Sequence, residues 1–338
     1  MDTTSWKTIL AILPPELRRA VGALPPEMAI EELRLRVGIG CSVLSFGKET
    51  VLCCNNAPLP ITSAQLQQLI SAAAHQSLYT VENTIPSGYL ILPGGYRLGL
   101  CGTAVMRNGI VQTFRDLSSV SIRFSRQVRG CADILLPELK RGNSVLLIGP
   151  PGAGKTTVLR DAVRQLSDKL ENRVGLCDER GEIAAMCGGA PQFEIGKRTD
   201  VLAGCPKAEA MEILIRTMNP QWIAVDEITK AEDVTALMRA SYCGVRFLAT
   251  AHAEQWKDLF LRPIYRQLMQ LQLFSKVAVL LPHRRLQLRS GRELYDTFDR
   301  GRSAGNCSSR AGNFAGVPDD DTIPGAAADG CGTECNAG

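Results

Sequence analysis

The chain has 338 residues, 45% of them hydrophobic and 21% charged, with a formal net charge of +4 at neutral pH. That composition is ordinary for a soluble globular protein of about two domains. The small net charge gives no argument for nucleic acid by itself, and the longest apolar runs, such as residues 278–282 before His283-Arg284-Arg285, are too short to cross a bilayer.

Two short helices are expected at residues 6–12 and 16–24, separated by Pro14-Pro15 and ended by Pro25-Pro26. Residues 32–37 alternate apolar and charged side chains, as a half-buried strand does. A hairpin follows, 43–46 against 50–53 around Gly47-Lys48. Residues 62–75 carry leucine and isoleucine at helical spacing, with Thr62 or Ser63 as the cap. Residues 96–105 and 109–114 predict a second hairpin across Arg107-Asn108, and 119–124 a further alternating strand. Residues 1–135 are therefore expected to form a smaller N-terminal α+β domain with its linker. On the bridge out of it, Arg123, Arg126 and Arg129 are close enough in sequence to approach a bound phosphate, although surface arginines are usually only solvated.

The chemistry begins after the bridge. An apolar strand, Ser144-Val145-Leu146-Leu147-Ile148, runs into Gly149-Pro150-Pro151-Gly152-Ala153-Gly154-Lys155-Thr156-Thr157 and then into a helical stretch ending near Leu170. Strand, glycine loop and helix in that order form a cradle for a nucleotide triphosphate. The glycines let the backbone turn its N–H groups toward phosphate oxygens. Lys155 brings a mobile charge to the outer phosphates, the helix N-terminus adds a positive end, and Thr156 offers a hydroxyl to Mg2+.

Three further strands end in polar groups. Residues 173–182 run into Asp178-Glu179-Arg180-Gly181-Glu182, which makes Glu179 one candidate for a hydrolytic carboxylate. Acids there often only cap the next helix or solvate a turn. Trp222-Ile223-Ala224-Val225-Asp226-Glu227 is expected beside the loop-bearing strand, where ligands sit at the carboxyl ends. Asp226 would hold Mg2+ through a water, and Glu227 would polarise an attacking water, which favours hydrolysis over binding alone. Phe247-Leu248-Ala249-Thr250-Ala251-His252 brings a hydroxyl and an imidazole to a neighbouring tip, where they can sense a terminal phosphate. His75 and His283 read as ordinary satisfied polar groups.

Residues 257–292 hold eight Lys or Arg against one acid, Asp258. A solvated helical face is the plain reading, and a docking surface for an acidic partner or membrane headgroups the sharper one. The twelve cysteines are scattered, without paired Cys-x2-Cys motifs. With no signal peptide recognised, the expectation is reduced thiols in a cytoplasm. Strand and helix alternate to about residue 290, so residues 136–295 are expected to be a mostly parallel α/β nucleotide domain. Residues 296–338, rich in glycine and poor in large apolar side chains, are expected to be a disordered tail.

Three runs are more specific than any phosphate loop: Arg198-Thr199-Asp200-Val201-Leu202-Ala203-Gly204-Cys205-Pro206-Lys207-Ala208-Glu209, residues 178–185, and Gly94-Gly95-Tyr96-Arg97-Leu98-Gly99-Leu100-Cys101-Gly102. With them the chain closely resembles the stage III sporulation protein AA family over about residues 5–290. That family is related to the ring-forming ATPases of type II and type IV secretion and pilus assembly. The resemblance implies a RecA-like P-loop core and a cytoplasmic homo-hexamer that binds ATP and Mg2+. It also implies a place in the channel complex between mother cell and forespore, docked on a membrane protein of that complex. By the same analogy Asp178 and Glu179 match an acidic box and Thr250 and His252 a histidine box. Arg198 and Arg216 become charge stabilisers, within a subunit or across to a neighbour.

An ATP-binding assembly scaffold with little turnover is a different class, as is a RecA-like nucleic-acid motor. No nucleic acid is expected as partner, because aromatic content is 5% and no long basic stripe is interleaved with aromatics. A small-molecule kinase suits the paired acids poorly, and no Asn-Lys-x-Asp run is present to read guanine.

Overall fold

The structure is a computed structural model that describes residues 3–25, 30–54, 57–75, 85–124, 127–281 and 285–296. The stretch expected to be a disordered tail lies outside the described residues, apart from position 296, as do Arg126, His283 and the side chain of His75. Residues 1–296 form one compact unit containing two main sheets, each with its own core.

The first sheet is antiparallel. Helices α1 (Thr3–Ile12) and α2 (Pro15–Gly22) precede β1 (Ile30–Arg36), β2 (Gly40–Ser45) and β3 (Lys48–Val51). A two-residue pair, β4 (Cys53–Cys54) with β5 (Ala57–Pro58), leads to α3 (Ser63–His75). Then come β6 (Tyr89–Leu92), β7 (Tyr96–Arg107) and β8 (Ile110–Arg123), giving the spatial order β3-β2-β1-β8-β7-β6. Period-two patterning decides which face is covered. Leu33 and Leu35 join Leu98, Val120 and Ile122 in a core closed by Ile9, Leu13, Leu17, Leu66 and Leu69, while Arg34 and Arg36 stay half-buried. Thr62 is the cap of α3: its Oγ1 accepts the Gln65 N–H and Gln65 Oε1 accepts the Thr62 N–H, a reciprocal box.

Residues 119–124 are not a separate strand. They continue β8, because a bulge at Asp116 (φ 48°) opposite Gly102 absorbs the irregularity and the ladder to β7 resumes.

The second sheet is built from β9 (Val145–Gly149), β10 (Val174–Asp178), β13 (Thr199–Ala203), β14 (Trp222–Val225), β15 (Arg246–His252), β16 (Lys276–Leu281) and β17 (Arg285–Ser290). Its order is β13-β10-β14-β15-β9-β16-β17, parallel except for the β16–β17 hairpin. The hairpin corrects the helical reading of the basic stretch: residues 277–280 are buried strand, and only part of 257–292 is helical. A small pair, β11 (Met186–Cys187) with β12 (Ala190–Pro191), sits in the connection after β10. The helices are α4 (Leu136–Lys140), α5 (Lys155–Asp168), α6 (Lys207–Met218), α7 (Ala231–Ser241), α8 (Asp258–Leu261) and α9 (Pro263–Gln270). Central strands buried at every position, such as β9 and β14, need cover on both faces. Leu159, Val163 and Leu166 of α5 join Leu147, Leu176 and Leu248 on one face. Leu214 of α6 approaches Gly175 and Ile223 on the other.

One topological expectation is corrected. The strand ending in Asp226-Glu227 does not lie beside the loop-bearing β9, because β15 is inserted between them. The register His252↔Gly149 and Ala249↔Val225 brings all three carboxyl ends to one level. Thr250 therefore falls one step past Val225, directly against Asp226.

Candidate functional site

The phosphate loop leaves β9 at Gly149 and enters α5 at Lys155. Gly152 and Gly154 have φ of 74° and 100°, which L side chains adopt only with strain, so glycine is required for the wrap. Lys155 is 5% exposed. Its ammonium donates to the carbonyls of Gly149 and Pro150, both at 2.9 Å, and to His252 Nδ1 at 3.1 Å. Burial lowers its pKa, opposed by the charges of Glu227 and Asp226.

Lysine has no acceptor, so the contact fixes the imidazole tautomer. His252 Nδ1 accepts, Nε2 carries the proton, and Nε2 donates to Glu227 Oε1 at 2.7 Å. The second oxygen of Glu227 accepts from Arg180 at 3.1 Å. Glu227 has φ of 50°, and its N–H donates to Thr250 Oγ1 at 2.8 Å. Beside this chain, Asp226 accepts from Thr156 Oγ1 at 3.0 Å and from the fully buried Thr250 Oγ1 at 2.5 Å. Burial raises the Asp226 pKa, and the two threonine hydroxyls pull it back down. A hydroxyl and a carboxylate at this separation are the hard oxygen donors that suit Mg2+, so the residues present fit that ion. His252 is steadied from behind: its N–H meets Tyr265 Oη at 3.1 Å and its carbonyl meets Arg262 at 3.0 Å.

Asp178 and Glu179 do not join this group. Asp178 turns inward and accepts the N–H groups of Glu182, Ile183 and Ala184, at 2.9 to 3.3 Å, so it clamps the loop after β10. Burial raises its pKa against those three donors. Glu179 is paired with the buried ammonium of Lys207 at 2.5 Å.

The arginines are redistributed. Arg198 stands at the start of β13, at the opposite end of the sheet from the phosphate loop, and bonds to Ser167 and Glu171. Arg216 is exposed nine residues along α6 from Lys207, about 14 Å down the helix axis at 1.5 Å per residue. Neither belongs to the site within one copy of the chain. Arg129 is tied to Glu194. Arg123 and Arg97, from the first sheet, instead line a cavity of about 230 Å3 together with Thr156, Thr157, Arg160 and Glu182. Arg97 pairs with Glu182 at 2.5 Å and lies 3.9 Å over the Tyr89 ring. Arg160, buried and stacked on Phe193, donates to the carbonyls of Ile183 and Glu182; burial lowers its pKa to about 10. Sequence reasoning did not single out Arg97, Arg160 or Arg180 as site residues. Arg97 and Arg180 nonetheless stand inside two of the family-like runs, which was the available signal.

A family model described as sporulation stage III, protein AA, matches residues 4–296. Stage III sporulation protein AA of Bacillus subtilis (strain 168) is 36% identical over 276 residues, which is 79% of this chain and 88% of that protein. SEEDLING PLASTID DEVELOPMENT 1 of Arabidopsis thaliana is 30% identical over 169 residues, 46% of this chain and 25% of that protein. Among solved structures, the ATPase DotB of Legionella pneumophila aligns with a TM-score of 0.53 at 16% identity, covering 84% of this chain and 85% of that one. The pilus retraction motor PilT with bound ADP aligns with a TM-score of 0.56 at 15% identity, covering 86% and 88%. At those identities the likeness establishes the fold, a P-loop ATPase core preceded by an α+β portion.

Proposed function

Because the chain belongs to the sporulation stage III protein AA family, we propose that it is a Mg2+-dependent ATPase, working as a ring of identical copies on the channel between mother cell and forespore. The observation that carries the reading is the convergence of Lys155, Thr156, Asp226, Glu227 and His252 at the carboxyl ends of three adjacent strands. Lys155 and the loop from Gly149 to Thr157, including Pro151 and Ala153, would hold the phosphates. Thr156 and Asp226 would hold Mg2+, which supplies charge neutralisation at the phosphoryl oxygens. Glu227 is the base, oriented by His252 at one oxygen; Glu179, held by Lys207, is not needed for that role.

Charge developing on the transferred phosphoryl group needs a cation besides Lys155. Arg97 and Arg123 share a cavity with Thr156 and Thr157, which supports them as stabilisers within one copy. Arg198 and Arg216 can serve only a neighbour. Two domains, residues 1–135 and 136–295, would then move against each other as nucleotide turns over. Among the described residues no helix is long and apolar enough to cross a membrane, so recruitment to the cytoplasmic face is assigned to a membrane protein of the same channel complex.

The test compares two variants in turnover, nucleotide binding and sporulation complementation. Lys155→Ala should lose binding and turnover together. Glu227→Gln should keep Mg·ATP binding and lose turnover by about 10²–10⁴-fold, the usual contribution of a positioned general base. Complementation by Glu227→Gln but not by Lys155→Ala would replace the motor with an ATP-binding scaffold. Native mass with and without Mg·ATP tests the ring, and specific activity that does not change with protein concentration counts against it.

A further inference from the structure

The loop between β10 and the β11–β12 pair links the base to the first sheet, and nothing in the reaction outlined above uses it. Its residue Arg180 is 63% exposed at the side chain, yet it is aimed at Glu227 Oε2, 3.1 Å away. Two residues on, Glu182 is paired with Arg97 of β7. Between and after them the backbone is pinned by Asp178, which takes the N–H groups of 182, 183 and 184, and by Arg160, which takes the carbonyls of 182 and 183. The loop is thus rigid at its root and carries two charged arms, one to the base and one to the other sheet.

We infer that Arg180 is a positioning residue for Glu227, and that the Glu182–Arg97 pair sets where Arg180 stands. The inference rests on Glu227 as the base. Glu227 needs outside help to hold its aim. It leaves β14 at φ 50°, a conformation that costs a non-glycine residue of order 1–3 kcal/mol and persists only where the surroundings over-determine it. Its main chain is fixed by Thr250, and among the described residues its side chain is hydrogen-bonded at its two oxygens by His252 and by Arg180. His252 Nδ1 also accepts a hydrogen bond from Lys155, so its grip on Oε1 is linked to the phosphate loop. Arg180 is the second anchor, and it answers to the first sheet. A shift of that sheet that draws Glu182 with Arg97 would swing Arg180 and turn the carboxylate off line. Small misplacements of a reacting group are enough to matter, since about 1 Å can cost 10²-fold. The consequence is that ATP cleavage in one copy reads the position of the first sheet without that sheet touching the water.

The experiment is a double-mutant cycle in turnover, with nucleotide affinity measured separately by fluorescent-ATP titration. Arg180→Ala should lower kcat by about 10–100-fold, within the range of such misplacements, while KM and nucleotide affinity stay within about twofold. In a Glu227→Gln background the same change should have no further effect, because the group it positions is already gone. Arg180→Lys, which keeps the charge but not the planar fork, should recover only part of the loss, and added ethylguanidinium should recover part of the Arg180→Ala loss. Glu182→Gln should lower kcat in the same direction, and hydrogen exchange of the protein without nucleotide should show the amides of residues 179–181 less protected. Equal losses in both Glu227 backgrounds, a weakened nucleotide affinity with unchanged kcat, or unchanged kcat in Arg180→Ala would each overturn the assignment. These results are separable from failure of the ATPase reading. If wild-type protein binds Mg·ATP without cleaving it, both ideas fall; if Glu227→Gln abolishes turnover and Arg180→Ala does not, only this one does.

Discussion

Replacing Thr250 with valine should loosen both acids of the site through the loss of one hydroxyl. Valine matches threonine in shape, so no cavity opens and only the hydroxyl is lost. That hydroxyl makes two bonds: it donates to Asp226 at 2.5 Å and accepts the Glu227 N–H at 2.8 Å. Thr250 is fully buried and Asp226 half-buried, which leaves little room for water at the hydroxyl itself. A hydrogen bond to a charged group contributes about 1.5–3 kcal/mol, and a backbone donor stranded away from water costs about 1–3 kcal/mol. Asp226 keeps its bond from Thr156, so the lower halves of those ranges apply and the sum is about 3 kcal/mol. For a folded unit of this size that is a fall in Tm of roughly 4–6 °C. Thr250→Ser, which keeps the hydroxyl and loses one methyl, should cost about 1 kcal/mol. Calorimetric or fluorescence melts of the two variants measure the difference, and turnover should fall with Thr250→Val because Glu227 loses its backbone anchor. If both variants melt within 1 °C of each other and turn over ATP alike, the hydroxyl does not organise the two acids and the argument for the site's geometry is wrong.

Gly95 has φ of 77°, and a Cβ there would lie 2.3 Å from the Phe193 ring. Gly95→Ala should therefore cost about 2–4 kcal/mol through overpacking and backbone strain, read as a lower denaturation midpoint. Removing the Asp178 carboxylate strands three backbone donors, so Asp178→Ala should strip hydrogen-exchange protection from residues 182–184 while the β9 amides stay protected; retained protection would refute the clamp. Burial pushes the Glu32 pKa up, but hydrogen bonds from Arg34 and Ser121 and the charge of Arg123 outweigh it, and the value lies below the usual 4.5. A depressed carboxylate stabilises the fold above its ordinary pKa, and that contribution is lost as pH falls through the lower folded value. Glu32→Gln should thus reduce stability near neutrality and flatten the loss below pH 4.5, and parallel urea curves for both proteins across that window would exclude the effect.

Much of the architecture could be read along the chain. The alternation of residues 32–37 gave β1, because a strand with one covered face must repeat every two residues. The glycine loop and the two acids announced themselves because backbone wrap and metal binding tolerate few residue types. Assignments that depended on distance through space fared differently. The partner of the Asp226 strand is β15 rather than β9, since strand order follows from how crossovers pack and leaves no trace in local pattern.

Local chemistry in the sequence therefore marked the residues proposed to handle phosphate and metal: a lysine after glycines, a threonine, and an aspartate at the end of an apolar strand. It could not say which of two glutamates faces the phosphate loop, because Glu179 and Glu227 both follow apolar strands and differ only in what the fold sets beside them. Lys207 takes the first and His252 the second. Nor could it sort the arginines, whose reach of several ångströms exceeds any spacing rule. Arg97 and Arg123 come to the phosphate-loop threonines because the second sheet presents its strand ends to the first, while Arg198 is carried to the far end by the parallel register of β13 with β10. Side-chain identity is written in the chain, but the pairing of charges is a property of the packed sheets.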